Sequence, residues 1–183
     1  MSSRPLGIVF YEKGLILEEA KINSKASSIK LEGGLQQVFP LFGPVKEKEW
    51  AEGWNPQMVL PYPDLVEEHM VFQTQSGHPE DPSPATWIVS KYDPDHWLIE
   101  YTVFTQARIW WISIKCLEEE RAARTNATIK YTYLGLNEEA NRLNQAALER
   151  MFRQDLKDWE RAINHYLKTG TILSHSHHPH HGN

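Results

Sequence analysis

Apolar and polar residues alternate with a period of two through the middle of the chain. In "HWLIEYTVFTQ", Trp97, Ile99, Tyr101 and Val103 fall on one face, and Leu98, Glu100, Thr102 and Phe104 on the other. "RIWWISIKC" sets Trp110, Ile112, Ile114 and Cys116 against Trp111, Ser113 and Lys115. "TNATIKYTYL" sets Ala127, Ile129, Tyr131 and Tyr133 against Thr128, Lys130 and Thr132. Alternation of this kind marks half-buried strands. Three in succession with one apolar face predict an antiparallel sheet with one solvated side. "EEHMVFQTQ" (67–75) and "TWIVSKY" (86–92) predict two further strands, and "AKINSKASSIKLEG" a weaker one towards the N-terminus. "YDPDHW" has the chemistry of a turn, because Asp-Pro favours turn initiation. "LEEERAAR" reads as a charged hairpin loop, and "SGHPEDPSPA", with three prolines, should stay unpaired.

The period then changes to that of a helix. From 136 to 170, apolar residues recur at Leu143, Ala147, Leu148, Met151, Phe152, Leu156, Trp159, Ile163, Tyr166 and Leu167. Spacings of three and four give one broad stripe, opposite Arg142, Glu149, Arg153, Lys157, Glu160 and Arg161. Asn137 is placed to cap the start and Gly170 to end the helix in a left-handed residue. At 1.5 Å per residue the helix should span roughly 45 Å. Two short helices are expected earlier. "GLQQVFPLFG" is kept short by Pro40 and Gly43, and "PVKEKEWAEG" has Pro44 near its first turn and stops at Gly53. The stretch 47–63, with Trp50, Trp54 and three prolines, has little capacity for regular structure and is expected to close one end of the sheet.

A one-sided sheet and a striped helix must bury their apolar faces against each other. The element order therefore predicts an α+β chain: a curved six- to seven-stranded antiparallel sheet around a long C-terminal helix, with two short helices after the first strand. Residues 1–170 are expected to form one domain, followed by a histidine-rich, disordered tail at 171–183.

The segments "LEGGLQQVFPLFGPVKEKEWAEGWNP", "VF", "TWIVSKYDPD" and "IKYTYLGL", with the terminal helix ending in "YLKTG", resemble the START-related, or SRPBCC, superfamily over about residues 20–170. The resemblance implies the helix-grip fold of the birch-pollen allergen, lipid-transfer START domains and polyketide cyclase/dehydrase-like proteins. It implies an internal cavity for a hydrophobic molecule. It carries over no catalytic residue, because these proteins share no single catalytic signature.

Composition narrows the function classes. The 183 residues are 40% hydrophobic and 11% aromatic, enough for a core, and carry a net charge of -5. The acidic balance (pI about 6.0) argues against non-specific nucleic-acid binding. One cysteine excludes a disulfide framework within the chain and fits a reducing cytoplasm. No apolar run approaches a membrane span. No phosphate-binding glycine loop, Cys-Cys zinc spacing or nucleophile elbow is present, so no cofactor and no metal site is expected. The tail histidines, among them His177, His178, His180 and His181, lack a preorganised surround and are read as adventitious at most.

The candidate cavity wall comprises Trp50 and Trp54 from the short helices, and Met70, Phe72, Ile99, Tyr101, Trp110, Ile112, Ile129 and Tyr131 from the sheet. Leu148, Met151, Phe152 and Trp159 from the long helix would form its floor. The plainer reading of each is core packing, and for the tryptophans the pinning of a lid. Tyr101, Tyr131 and Tyr133 are phenolic tips on inward faces. By alternation either Glu68 or His69 should point inward as an acid or base. Cys116 is read as a buried hydrophobe. Three functions follow. The first is binding of a hydrophobic or aromatic small molecule or lipid. The second is a cyclase, dehydratase or hydrolase acting in the same cavity. The third is a co-chaperone-like interaction module. Ligand identity and oligomeric state, including a homodimer, stay open.

Overall fold

The computed structural model of the chain describes residues 20–60, 65–75, 83–119 and 123–174. The expectations for the N-terminal segment, most of the proline-rich 76–85 stretch, the tip of the 117–124 loop and the histidine tail lie outside those residues.

Seven strands form one antiparallel sheet in the order β1-β7-β6-β5-β4-β3-β2. They are β1 (Lys21–Leu31), β2 (Gln57–Leu60), β3 (Val71–Thr74), β4 (Ala85–Asp93), β5 (Leu98–Phe104), β6 (Arg108–Glu118) and β7 (Thr125–Gly135). Helix α1 (Leu35–Val38) runs into a 3-10 turn at Phe39–Phe42, and a second 3-10 turn spans Lys46–Glu49. The C-terminal helix comprises α2 (Glu138–Arg150), a π-helical turn (Met151–Asp155) and α3 (Leu156–Thr169). This is the helix-grip arrangement expected, with the curved sheet wrapped on the long helix.

The predicted faces are the observed ones. Ile99, Tyr101 and Val103 on β5, Trp110, Ile112, Ile114 and Cys116 on β6, and Ala127, Ile129, Tyr131 and Tyr133 on β7 are all buried. Register then lines the inner residues up in rows. Phe72, Trp87, Val103, Trp110 and Tyr133 are successive cross-strand partners, and so are Val89, Tyr101, Ile112 and Tyr131. On the outer face Ser24 and Ser28 pair with Thr132 and Thr128, each at 2.9 Å. A bulge between Val89 and Lys91 interrupts β4, and such an extra residue bends a strand and increases its twist.

Four expectations are corrected. Strand β3 starts at Val71, not at 67: Glu68 and His69 form an exposed turn, and His69 takes φ 72°. Neither reaches the interior, so the expected acid or base on this strand is not there. Trp97 belongs to the β4–β5 turn with φ 55°, although its ring still packs inward on Phe39 at 5.7 Å. The 47–63 stretch does hold regular structure, in the form of the second 3-10 turn and strand β2. The terminal helix is interrupted by its π turn.

The helix ends behave as the sequence predicts. Asn137 accepts a bond from the Ala140 N–H at 2.8 Å, and Gly170 closes the helix at φ 70°. Between them the helix is pinned to the edge of the sheet by polar groups. The Lys30 N–H donates to Glu160 at 2.7 Å, the Glu32 N–H donates to Asn164 Oδ1 at 2.8 Å, and Asn164 Nδ2 donates to the Lys30 carbonyl at 2.9 Å. These bonds satisfy backbone groups that an edge strand otherwise leaves open. At the other end β7 meets α2 closely. A Cβ on Gly135 would stand 2.7 Å from the Asn141 nitrogen and 2.9 Å from the Ala140 carbonyl carbon. Gly135→Ala is therefore expected to destabilise the fold by about 1–3 kcal/mol, as overpacking does. Urea unfolding checks this, and an unchanged midpoint would contradict the close approach.

Candidate ligand cavity

The short segment Lys46–Glu49 determines what enters the interior. In a 3-10 turn, side chains three apart eclipse one another. Glu47 and Trp50 thus share one face and Lys46 and Glu49 another. The outer pair closes an ion pair, Lys46 Nζ to Glu49 Oε1 at 2.6 Å, and Tyr166 on α3 donates its hydroxyl to the same carboxylate. Both partners hold the Glu49 carboxyl below its ordinary range, Lys46 foremost. Trp50 Nε1 donates to the Leu41 carbonyl at 2.8 Å, and Tyr101 donates to the Phe42 carbonyl at 2.6 Å. The turn is fixed to the helix, the sheet and the preceding turn, which points Glu47 and Trp50 towards the hollow between them.

That hollow has a volume of about 430 Å³. Nine of the fourteen sequence candidates line it: Trp50 and Trp54 from the lid, Phe72, Tyr101, Trp110, Ile112 and Tyr131 from the sheet, and Met151 and Trp159 from the helix. The other five do not. Met70, Ile99, Ile129 and Leu148 are buried core. Phe152 packs edge-on against Tyr131 at 6.3 Å with Lys25 Nζ 5.3 Å from its ring centroid. Sequence reasoning missed Phe42, Glu47, Trp87 and Ile114 as wall residues, together with Ala51, Glu52 and Gly53 at the lid, and left Tyr133 among the phenolic tips. The signal for Glu47 was its three-residue spacing to Trp50, legible only once the segment is known to be a 3-10 turn.

The wall is a connected set of rings. Trp54 meets Phe72 and Trp87 edge-on at 6.1 and 5.6 Å, and Phe72 stacks on Trp87 at 5.4 Å. Trp87 meets Trp110 at 6.2 Å, Trp110 stacks on Tyr133 at 5.7 Å, and Tyr133 stacks on Tyr131 at 5.8 Å. Trp50 meets Trp159 across the lid at 5.7 Å. Trp50 is only 2% exposed, and its indole both pins the lid and faces the hollow.

Polar groups in this wall are few. The Tyr131 and Tyr133 hydroxyls have no hydrogen-bond partner among the described residues. Burial raises Tyr101 and Tyr131 well above the ordinary phenol value and Tyr133 to about 12. The Glu47 carboxyl has neither hydrogen bond nor ion pair among the described residues, and burial pushes it up to about 8. Glu47 keeps some accessible surface, but it stands among the rings that line the hollow, and desolvation is the cause of the shift. At neutral pH it is therefore mainly the uncharged acid. Cys116 is buried and raised to about 12, an inert thiol. Among the described residues no cluster of His, Cys, Asp and Glu could hold a metal, and no helix is long and apolar enough to cross a membrane.

A carboxyl raised in the folded state favours folding fully below its unfolded value near 4.5, and that contribution is lost as pH rises through about 8. Wild-type stability should thus fall across this interval relative to Glu47→Gln, by on the order of a few kcal/mol. Thermal unfolding of both proteins from pH 5 to 9 checks this. Parallel curves would show that Glu47 titrates normally.

No protein-family model matches the sequence, and no curated protein is similar to it in sequence. Solved structures are similar in fold. Norcoclaurine synthase from Thalictrum flavum superposes with a TM-score of 0.64 at 9% identity, covering 92% of this chain and 96% of that one. The Zhui aromatase/cyclase from Streptomyces sp. R1128 gives 0.62 at 11% identity, over 84% of this chain and all of that one. Ara h 8.0201 gives 0.58 at 11% identity, over 81% and 99%. The element order, the gripped terminal helix and these superpositions agree: the chain has the helix-grip fold that these structures share.

Proposed function

We propose that the protein binds a hydrophobic small molecule rich in aromatic or other apolar surface, lipids included, in the cavity between the sheet and the terminal helix. The observation that carries this is the unfilled interior of about 430 Å³, walled by rings with only a few polar tips. Small-molecule sites share this character: concave, mostly apolar, with a few placed polar groups, and ~300–1,000 Å³ in volume. One solved structure of the T. flavum synthase is a complex with dopamine and hydroxybenzaldehyde, both aromatic. The single, buried cysteine suits the cytoplasm as the place of action.

A second reading, acid–base catalysis in the same cavity, is favoured by Glu47 and by the enzymatic names of two structural neighbours. A carboxylic acid that titrates near working pH is matched to donating and retrieving a proton. It would protonate a carbonyl or hydroxyl oxygen of the bound molecule, while the Tyr131 and Tyr133 hydroxyls hydrogen-bond to it. This reading replaces Glu68 and His69 with Glu47. Its mark is a substitution, Glu47→Gln, that stops turnover of an aromatic carbonyl compound while leaving its binding intact.

The uncharged fluorophore N-phenyl-1-naphthylamine tests the binding reading. At about a hundred times its Kd a ligand adds ~2.7 kcal/mol to stability, a rise in Tm of roughly 5–10 °C for a chain of this size. The Ile112→Trp, Met151→Trp double variant, which puts two indoles into the hollow from opposite walls, should weaken both the shift and the fluorescence enhancement. An identical response from this variant would place the probe elsewhere and remove the reading.

A further inference from the structure

Among the described residues, the lining of the aromatic hollow includes the carboxyls of Glu47 and Glu52 and no lysine, arginine or histidine. Glu52 is exposed and has an interaction of its own. Glu47 is the carboxyl set among the rings, and its charge bears on the Tyr101 and Tyr131 hydroxyls. The bases nearby stand elsewhere. Lys46 pairs with Glu49 on the outer side of the turn, and Lys48 is exposed. Arg108, Arg150, Arg153 and Asp155 line a separate cavity beyond Trp87, Trp110 and Tyr133.

A carboxylate among indole and phenol rings is the complement of an organic cation. The face of an aromatic ring is negative, and indoles attract ammonium groups most strongly, the more so where water is excluded. This cluster already holds a cation on its far side, where the Arg108 guanidinium carbon stands 5.2 Å from the Trp110 ring centroid and 5.7 Å from that of Tyr133. On the side of the hollow no cation lies over Trp50, Trp54 or Trp159 among the described residues. An anionic ligand would stand beside Glu47 with no base in the described lining to offset the two like charges. A cationic one would supply the counterion that the Glu47 carboxyl lacks.

We propose that the hollow takes an organic ammonium ion with an aromatic or apolar body, its charge met by the Glu47 carboxylate and by the indole rings around it. The inference rests on the binding reading above and adds the class of ligand. Without a counterion the Glu47 carboxyl keeps its proton at neutral pH. As the cation enters, the carboxyl releases that proton to solvent and the ion pair forms. Binding therefore strengthens as pH rises, by ~tenfold per unit below the Glu47 value of about 8. The wall phenols stay protonated over this range, because burial holds Tyr101 and Tyr131 well above the ordinary phenol value and Tyr133 at about 12.

A cation of fixed charge, phenyltrimethylammonium, and its uncharged isostere, tert-butylbenzene, test the proposal, each read by displacement of N-phenyl-1-naphthylamine. Because the charge of neither probe changes with pH, any pH dependence belongs to the protein. From pH 6 to pH 8 the affinity of the wild type for the cation should rise more than about tenfold, while that for the isostere does not rise. Glu47→Gln, which exchanges the acid for an amide of the same size, should remove the rise. A flat cation profile in the wild type, an equal rise in Glu47→Gln, or a cation that never displaces the dye would overturn the ammonium class while the apolar cavity stands. Failure of the wild type to bind the dye at all would overturn the binding reading and this inference with it.

Discussion

The terminal helix is clamped to the edge of the sheet, and the interior follows from that constraint. Glu160 and Asn164 take the open backbone groups of Lys30 and Glu32, and Gly135 allows β7 to meet the start of α2 in close contact. With the helix fixed at both ends it bridges the concave face instead of settling into it. The sheet's inner rows carry large flat rings in register, Phe72, Trp87, Trp110 and Tyr133. Rings have few rotamers and fill remaining space less readily than aliphatic side chains do, and Met151 and Trp159 of the terminal helix line the hollow that is left. Protein interiors are normally filled to crystal-like density, and this aromatic hollow departs from that.

The lid gives that hollow its chemistry. A 3-10 turn of four residues has little stability alone. Its position is held by the Trp50 and Tyr101 bonds to the chain at Leu41 and Phe42, and by the Lys46–Glu49–Tyr166 contact on its outer side. The same three-residue period that turns Glu49 outward to two partners turns Glu47 inward to none. A carboxyl in that position stays uncharged at neutral pH, because ionising it would place a charge among rings without a counterion. The arginines collect on the other side of the Trp87, Trp110 and Tyr133 rings. One side of these rings is therefore apolar with a neutral acid, and the other is polar.

The frame of this molecule was legible in the sequence and its interior polarity was not. Period-two alternation in β5, β6 and β7 identified inward residues such as Ile99, Trp110 and Tyr131, because one face of each strand is buried along its length. Asn137 and Gly170 bracketed the helix through local capping geometry. Strand β2 escaped because four residues between prolines carry too short a pattern, and β3 was drawn too long because nothing local revealed the left-handed turn at His69. The π turn had no apolar signature, since Met151 and Phe152 keep the stripe continuous through it. Of the wall candidates, Met70, Ile99 and Ile129 share the inward face with true wall residues and lie where other side chains cover them. Alternation fixes the face but not the depth of its cover. Glu47 turns towards the rings only through the 3-10 geometry of its segment, which its composition does not announce, and Arg108 meets Asn144 from 36 residues away, for which a sequence window has no signal.

An unfilled interior walled by rings, with the Glu47 carboxyl among them and no counterion for it among the described residues, is the central feature. The most direct measurement is an NMR titration of the side-chain carboxyl carbon of Glu47 in the ligand-free protein, assigned by comparison with Glu47→Gln. A midpoint near 8, well apart from the other glutamates, is the expected result. A midpoint near 4.5 would mean that water or a cation reaches this carboxyl, and would contradict the account.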